Sequence, residues 1–140
     1  MSQPAPTVSE LVANPVVRAA LDAAWIDSQP ADPITRHEEG GWVYCDPATR
    51  TIEIRRAPGG DQAFLDLDDP PELPGYFVVA TFHTHPNPAA EGWDTGPSQS
   101  DTDSAIDLGV PCIIRAEDGI HTTGPDARRG GLTGNPGFPD

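Results

Sequence analysis

The chain has 140 residues, a formal net charge of −14 and a hydrophobic share of 36%. This length suffices for one compact domain with its own core and is too short for two. The acidic balance argues against a nucleic-acid partner, because phosphate backbones are bound by basic surfaces. It fits a basic partner, or it serves only to keep the protein in solution.

The sequence shows no sign of membrane insertion or secretion. No apolar run approaches the roughly 20 residues of a spanning helix, and residues 1–6 lack the basic and apolar regions of a secretory signal. Cys45 and Cys112 lie in apolar, strand-like contexts, which indicates reduced core thiols rather than a disulfide framework. We therefore expect a cytoplasmic protein that does not bind membranes.

The first part of the chain predicts a helix and then a hairpin. Residues 1–9 are expected to be flexible. Asn14-Pro15 is a favourable helix start, and apolar residues recur at helical spacing to about Asp27. Residues 41–45 and 51–56 predict two strands joined by a short turn.

A loop and a strand then lead to two histidines. Residues 61–74 combine aspartates with prolines, which predicts an acidic loop and a candidate rim for a substrate site. Residues 75–82 are apolar and β-branched and predict a strand. His83 and His85 stand at its end, two apart, so their side chains point to the same face. Both can reach one ion through Zn–N bonds of roughly 2.0–2.1 Å, and Pro86 ends the strand.

The helix that follows offers a third ligand. Ser98 is a favourable N-cap after Pro97, Asp101 falls in the first turn, and the apolar spacing predicts a helix to Leu108 before Gly109. Three His and Asp ligands without cysteine leave one position of a zinc ion open to water. This is the layout of a hydrolytic site.

The sequence leaves the register of this third ligand open. The Ser-x-x-Asp spacing of Ser98–Asp101 recurs at Ser100–Asp103 and at Ser104–Asp107. The N-cap position of Ser98 favours Asp101, and Asp103 is the alternative ligand.

A base for the attacking water lies upstream, in Glu38-Glu39-Gly40-Gly41. Glu-x-Gly-Gly at the head of a strand, His-x-His-Pro and Ser-x-x-Asp together resemble the JAMM motif of the JAB/MPN zinc metalloprotease family, of the prokaryotic type. In that family the Glu is the general base, both His and the Asp bind zinc, and the Ser stabilises the oxyanion. The resemblance implies these roles for Glu38, His83, His85, Asp101 and Ser98. The family's Glu stands three residues before the second Gly, which selects Glu38 over Glu39.

The resemblance covers about residues 10–123 and implies one α/β domain of the cytidine-deaminase-like JAB/MPN fold. This fold is a mixed, mainly antiparallel sheet with helices packed on it. Late strands are predicted at 110–115 and 120–123, and the composition of residues 124–140 predicts a flexible tail. We interpret the Arg-Arg-Gly-Gly sequence at 128–131 as a linker, with mimicry of a substrate end as the alternative.

By resemblance, the expected function is zinc-dependent hydrolysis of the isopeptide or peptide bond after the C-terminal Gly-Gly of a ubiquitin-like protein. The alternatives are trimming of sulfur-carrier proteins of the same shape and a non-catalytic scaffold or binding module of the MPN type. The complete motif argues against the scaffold. Trp93, between the ligands, either lines the cleft and contacts the substrate or pins its loop to the surface.

Overall fold

The computed structural model describes residues 4–127 and Phe138. These residues form one five-stranded sheet, three α-helices and a 3-10 helix at Ala89–Glu91. The elements in chain order are α1 (Val8–Ala13), α2 (Pro15–Asp27), β1 (Gly40–Cys45), β2 (Ile52–Arg56), β3 (Phe77–His85), α3 (Gln99–Leu108), β4 (Cys112–Ala116) and β5 (Gly119–Thr123).

The sheet has the strand order β2-β1-β3-β4-β5. The pair β3–β4 is parallel, and the other neighbouring pairs are antiparallel. The prediction of an α/β fold with a mixed, mainly antiparallel sheet is confirmed. Because parallel neighbours need a crossover connection, the chain from β3 to β4 passes through α3.

Both faces of the sheet are covered. Alternate residues of β1 point to opposite faces, so Val43 joins a core with Leu21 of α2, while Trp42 joins a second core with Leu108 of α3 and Leu67. Both cysteines are buried and free, as predicted. Among the described helices, none has the length and apolar character required to cross a bilayer.

The helix predicted from Asn14 to Asp27 is confirmed as α2, with the Asn14 side chain as its N-cap. The sequence analysis missed α1, which begins within residues 1–9, where flexibility was expected. Thr7 and Glu10 form a capping box at its start. The Thr-x-x-Glu spacing was therefore a usable signal for this helix.

The described residues after β5 contact the domain. The Asp126 carboxylate accepts a hydrogen bond from the Val8 N–H at 2.8 Å. Phe138 is 2% exposed and packs edge-on against Phe77, with ring centroids 6.0 Å apart. These contacts differ from the flexible tail expected from residue 124 onward, and the sequence at 128–131 lies outside the described residues.

Gly40 and Gly41 allow β1 to lie between its two neighbours. A Cβ on Gly40 would lie 2.1 Å from the Phe82 carbonyl oxygen, and a Cβ on Gly41 would lie 2.0 Å from the Arg55 carbonyl oxygen. These oxygens belong to strand backbone, which cannot move aside as a flexible side chain can. The Gly-Gly pair after Glu38 is therefore a packing requirement of β1.

We expect Gly41→Ala to lower the free energy of unfolding by about 1–3 kcal/mol, the usual cost of extra atoms in a packed site. Urea unfolding measures this difference. Gly96→Ala is the matched control, because a Cβ there meets only the Asp94 carboxylate, at 3.4 Å. Equal midpoints for wild type and Gly41→Ala would contradict the packing role.

Candidate metal centre

The crossover from β3 to β4 places the candidate ligands together. β3 ends at His85, and α3 begins at Gln99 with Ser98 as its N-cap. In a parallel βαβ unit, the carboxyl end of the first strand faces the start of the connecting helix, and ligand sites form at this end. Asp101, in the first turn of α3, therefore lies beside the two histidines.

Three donor groups converge at this point. The Nε2 atoms of His83 and His85 are 3.1 Å apart. Asp101 Oδ1 is 3.3 Å from His83 Nε2, and Asp101 Oδ2 is 3.2 Å from His85 Nε2. The ligand atoms of Glu38, His83 and His85 also lie within 4.8 Å of one another, and this cluster can hold a metal ion.

Glu38 is the buried carboxylate of the site, with 7% exposure. Its main chain is fixed on one side, because its N–H donates to the Asp61 carbonyl at 2.8 Å and its carbonyl accepts from the Gly60 N–H at 2.9 Å. Burial raises the pKa of Glu38 to about 7, against the opposing effect of the two histidines. A carboxyl group with such a pKa can take up and release a proton near neutral pH.

Glu39 makes different contacts. Its carboxylate pairs with Arg56 at 2.7 Å and with His37 Nε2 at 2.5 Å. Of the two adjacent glutamates, the structure thus brings Glu38 to the histidines, as the sequence predicted.

Asp101 and Ser98 form reciprocal hydrogen bonds. The Asp101 N–H donates to Ser98 Oγ at 3.1 Å, and the Ser98 N–H donates to Asp101 Oδ2 at 2.9 Å. Burial alone would raise the pKa of Asp101, but hydrogen bonds from His83 and His85 outweigh it and hold that pKa well below its usual range. The helix cap therefore also orients an ionised carboxylate toward the histidines.

The alternative third ligand, Asp103, is exposed, and its Oδ1 accepts a hydrogen bond from Gln99 Nε2 at 2.9 Å. The structure thus brings the Ser98–Asp101 register to the histidines.

Cys112 contacts the ring of His83 at the nitrogen that faces away from Asp101, a role that was not predicted from the sequence. Its sulfur is 3.5 Å from His83 Nδ1. When His83 Nε2 binds a cation, the ring proton must be on Nδ1, so the ring donates toward this sulfur and its orientation is fixed. His85 Nδ1 is buried and has no hydrogen-bond partner among the described residues.

Two clefts open on either side of the centre. The first, of about 180 Å³, lies between α3 and the acidic loop, residues 61–74. The second, of about 230 Å³, is lined by Trp93 of the ligand loop, residues 86–97. The residues common to both clefts are Glu38, Ala63, Ser98 and Asp101. The two clefts therefore meet at the candidate metal centre.

The ligand loop is joined to the acidic loop by a buried amide. Asn87 is 5% exposed, donates to the Gln62 carbonyl at 2.8 Å, and accepts from Gln62 Nε2 at 3.1 Å. Arg36 holds the same loop through Glu91 at 3.1 Å. The hydrogen bonds between Asn87 and Gln62 thus tie the ligand loop to the acidic loop, and the ion pair with Arg36 anchors the ligand loop a second time.

Comparisons with protein-family models, curated proteins and solved structures gave no match to this chain. Its function must therefore be inferred from the residues of the centre.

We expect purified protein to hold about one divalent metal ion per chain, measured by elemental analysis after loading and dialysis. Asp101→Ala should lose the ion, because it removes a converging donor. Asp103→Ala is the matched control and should keep it. Loss in Asp103→Ala with retention in Asp101→Ala would reverse the ligand assignment.

Proposed function

We propose that this protein is a zinc-dependent peptidase or isopeptidase of the JAB/MPN type. It cleaves the amide bond after the C-terminal Gly-Gly of a ubiquitin-like protein, in deconjugation or in precursor processing. The observation that carries this proposal is the convergence of His83, His85 and Asp101, with Glu38 and Ser98 beside them.

The donor spacing supports zinc as the metal. Two ligands bound tetrahedrally at roughly 2.0–2.1 Å are about 3.3 Å apart. The separations among His83 Nε2, His85 Nε2 and the Asp101 oxygens are 3.1, 3.2 and 3.3 Å. The two imidazoles meet different oxygens of Asp101, and a zinc ion held by such His and Asp ligands would keep one position open for water.

The positions of the motif in the fold support the family assignment. Glu-x-Gly-Gly leads into β1, His-x-His-Pro ends β3, and Ser-x-x-Asp begins α3. The strands β1 and β3 are paired, with Gly40 opposite His83. This pairing accounts for the proximity of Glu38 to the histidines.

Bound zinc would supply Lewis-acid chemistry, which activates water and polarises the scissile carbonyl. Glu38 accepts the proton of the attacking water and delivers it to the nitrogen of the leaving amine, a role suited to its raised pKa. Ser98 Oγ already accepts the Asp101 N–H, so its own hydrogen can be donated to the developing oxyanion. Burial of Glu38, at 7% exposure, strengthens its interaction with the reacting groups, whereas Ser98 is open to the substrate side.

The clefts support a chain-like substrate. A Gly-Gly terminus is narrow enough to lie across the centre, and the segments on either side of the scissile bond occupy the two clefts. Trp93, 39% exposed at the wall of the second cleft, contacts the substrate chain there. Buried free thiols fit a reducing compartment, and we place the enzyme in the cytoplasm.

Glu38→Gln should keep the metal and lower kcat by about 10²–10⁴, the usual contribution of a general base. The assay uses fusions in which a reporter follows the terminal Gly-Gly of ubiquitin-like and of sulfur-carrier proteins, and it thus also separates the two substrate classes. Glu39→Gln is the matched control and should retain turnover. Normal turnover by Glu38→Gln would exclude Glu38 as the base, and failure of every substrate by metal-loaded wild type would favour a scaffold.

Ser98→Ala should lower kcat by about 10²–10³ with little change in KM, because the lost donor acts on the transition state. It also removes a helix cap, so urea unfolding should show a loss of about 1 kcal/mol. Ser100→Ala serves as control for the neighbouring serine. A matching loss of activity in Ser100→Ala alone would transfer the oxyanion role to that residue.

A further inference from the structure

Thr84 lies between the two histidine ligands and points to the other face of the sheet, because strand side chains alternate. It is fully buried, at 0% exposure. Its Oγ1 is 2.5 Å from the Oγ of Ser28, the residue that caps the C-terminus of α2. The segment that presents the ligands is thus bonded on its reverse face to a helix end.

The direction of these hydrogen bonds follows from the available protons. Ser28 Oγ donates its single hydrogen to the Ala24 carbonyl at 2.8 Å. The hydrogen between Ser28 and Thr84 therefore belongs to Thr84, which donates to Ser28. Thr84 Oγ1 in turn accepts the Glu39 N–H at 3.1 Å. The relay runs in one direction, from the Glu39 amide through both hydroxyl groups to the helix carbonyl.

Thr84 holds both polar groups of the Glu39 main chain. Besides the bond to its hydroxyl, the Thr84 N–H donates to the Glu39 carbonyl at 2.9 Å. Glu38 immediately precedes Glu39, and its side chain lies on the ligand face with the histidines. The main-chain N–H and carbonyl of Glu38 are hydrogen-bonded to Asp61 and Gly60. Thr84 therefore holds this segment against β3, next to the ladder pair of Gly40 with His83.

We propose that Thr84, supported by Ser28, is a positioning residue that sets the Glu38 carboxylate against the histidine ligands. It touches neither the metal position nor a substrate. This inference rests on the proposed function, in which Glu38 transfers protons. Misplacement of such a group by about 1 Å can lower a rate by 10²-fold, so loss of the hydroxyl should act on the chemical step.

The test compares Thr84→Val with Thr84→Ser. Valine has the same shape but leaves the part-buried Glu39 N–H without its hydroxyl acceptor, whereas serine retains the hydroxyl. We expect Thr84→Val to keep its metal and KM and to lose about tenfold to a hundredfold in kcat. Thr84→Ser should recover kcat to within about twofold of wild type. Ser28→Ala should have a smaller effect, because the bond from Glu39 to Thr84 remains.

Amide hydrogen exchange at Glu39, followed by NMR, gives a measurement that is independent of catalysis. Exchange should be at least about tenfold faster in Thr84→Val than in wild type and unchanged in Thr84→Ser. Unchanged exchange in Thr84→Val would overturn the relay. Faster exchange with normal kcat, or with a raised KM or lost metal, would overturn the positioning role. An inactive wild type would instead reject the proposed function, while the exchange result would still decide the relay.

Discussion

The parallel pairing of β3 with β4 is the constraint on which the site depends. Thr81–His85 of β3 pair in register with Cys112–Ala116 of β4, so the connection must pass over one face of the sheet before it returns. The start of α3 is thereby brought to the carboxyl end of β3. Asp101 reaches the histidines because of this crossover, although it lies sixteen positions after His85 in the sequence.

The centre concentrates groups that are unfavourable together in a metal-free protein. Two carboxylates and two imidazoles share a site in which Glu38 and His83 are buried. Burial of charges is costly unless they are paired. The contacts of Asp101 with the two histidines offset part of this cost. A cation would satisfy all the donors at once, so binding of a metal would add directly to the stability of the folded state.

The sequence predicted the donors because local geometry defines them. The two-residue period of a strand brings His83 and His85 to one face, and the N-cap preference of serine places Asp101 in the first turn. The choice between Asp101 and Asp103 needed the structure, since both spacings suit a helix start. The contact of Gln62 with Asn87 and that of Ser28 with Thr84 were not predictable, because they join residues 25 and 56 positions apart. Such contacts depend on the packing of elements rather than on a local pattern.

The residues that build the fold here also set the geometry of the chemistry. Ser98 is the N-cap of α3, and the two hydrogen bonds between Ser98 and Asp101 that form this cap also orient the Asp101 carboxylate. Because Gly40 has no side chain, the backbones of β1 and β3 can approach each other closely, and this approach also brings Glu38 to the histidines. Thr84 accepts the part-buried Glu39 amide and joins the strand to α2. Because each of these residues serves local structure as well, a substitution at any of them should change stability together with the proposed activity, and only paired measurements of both quantities can separate the two effects.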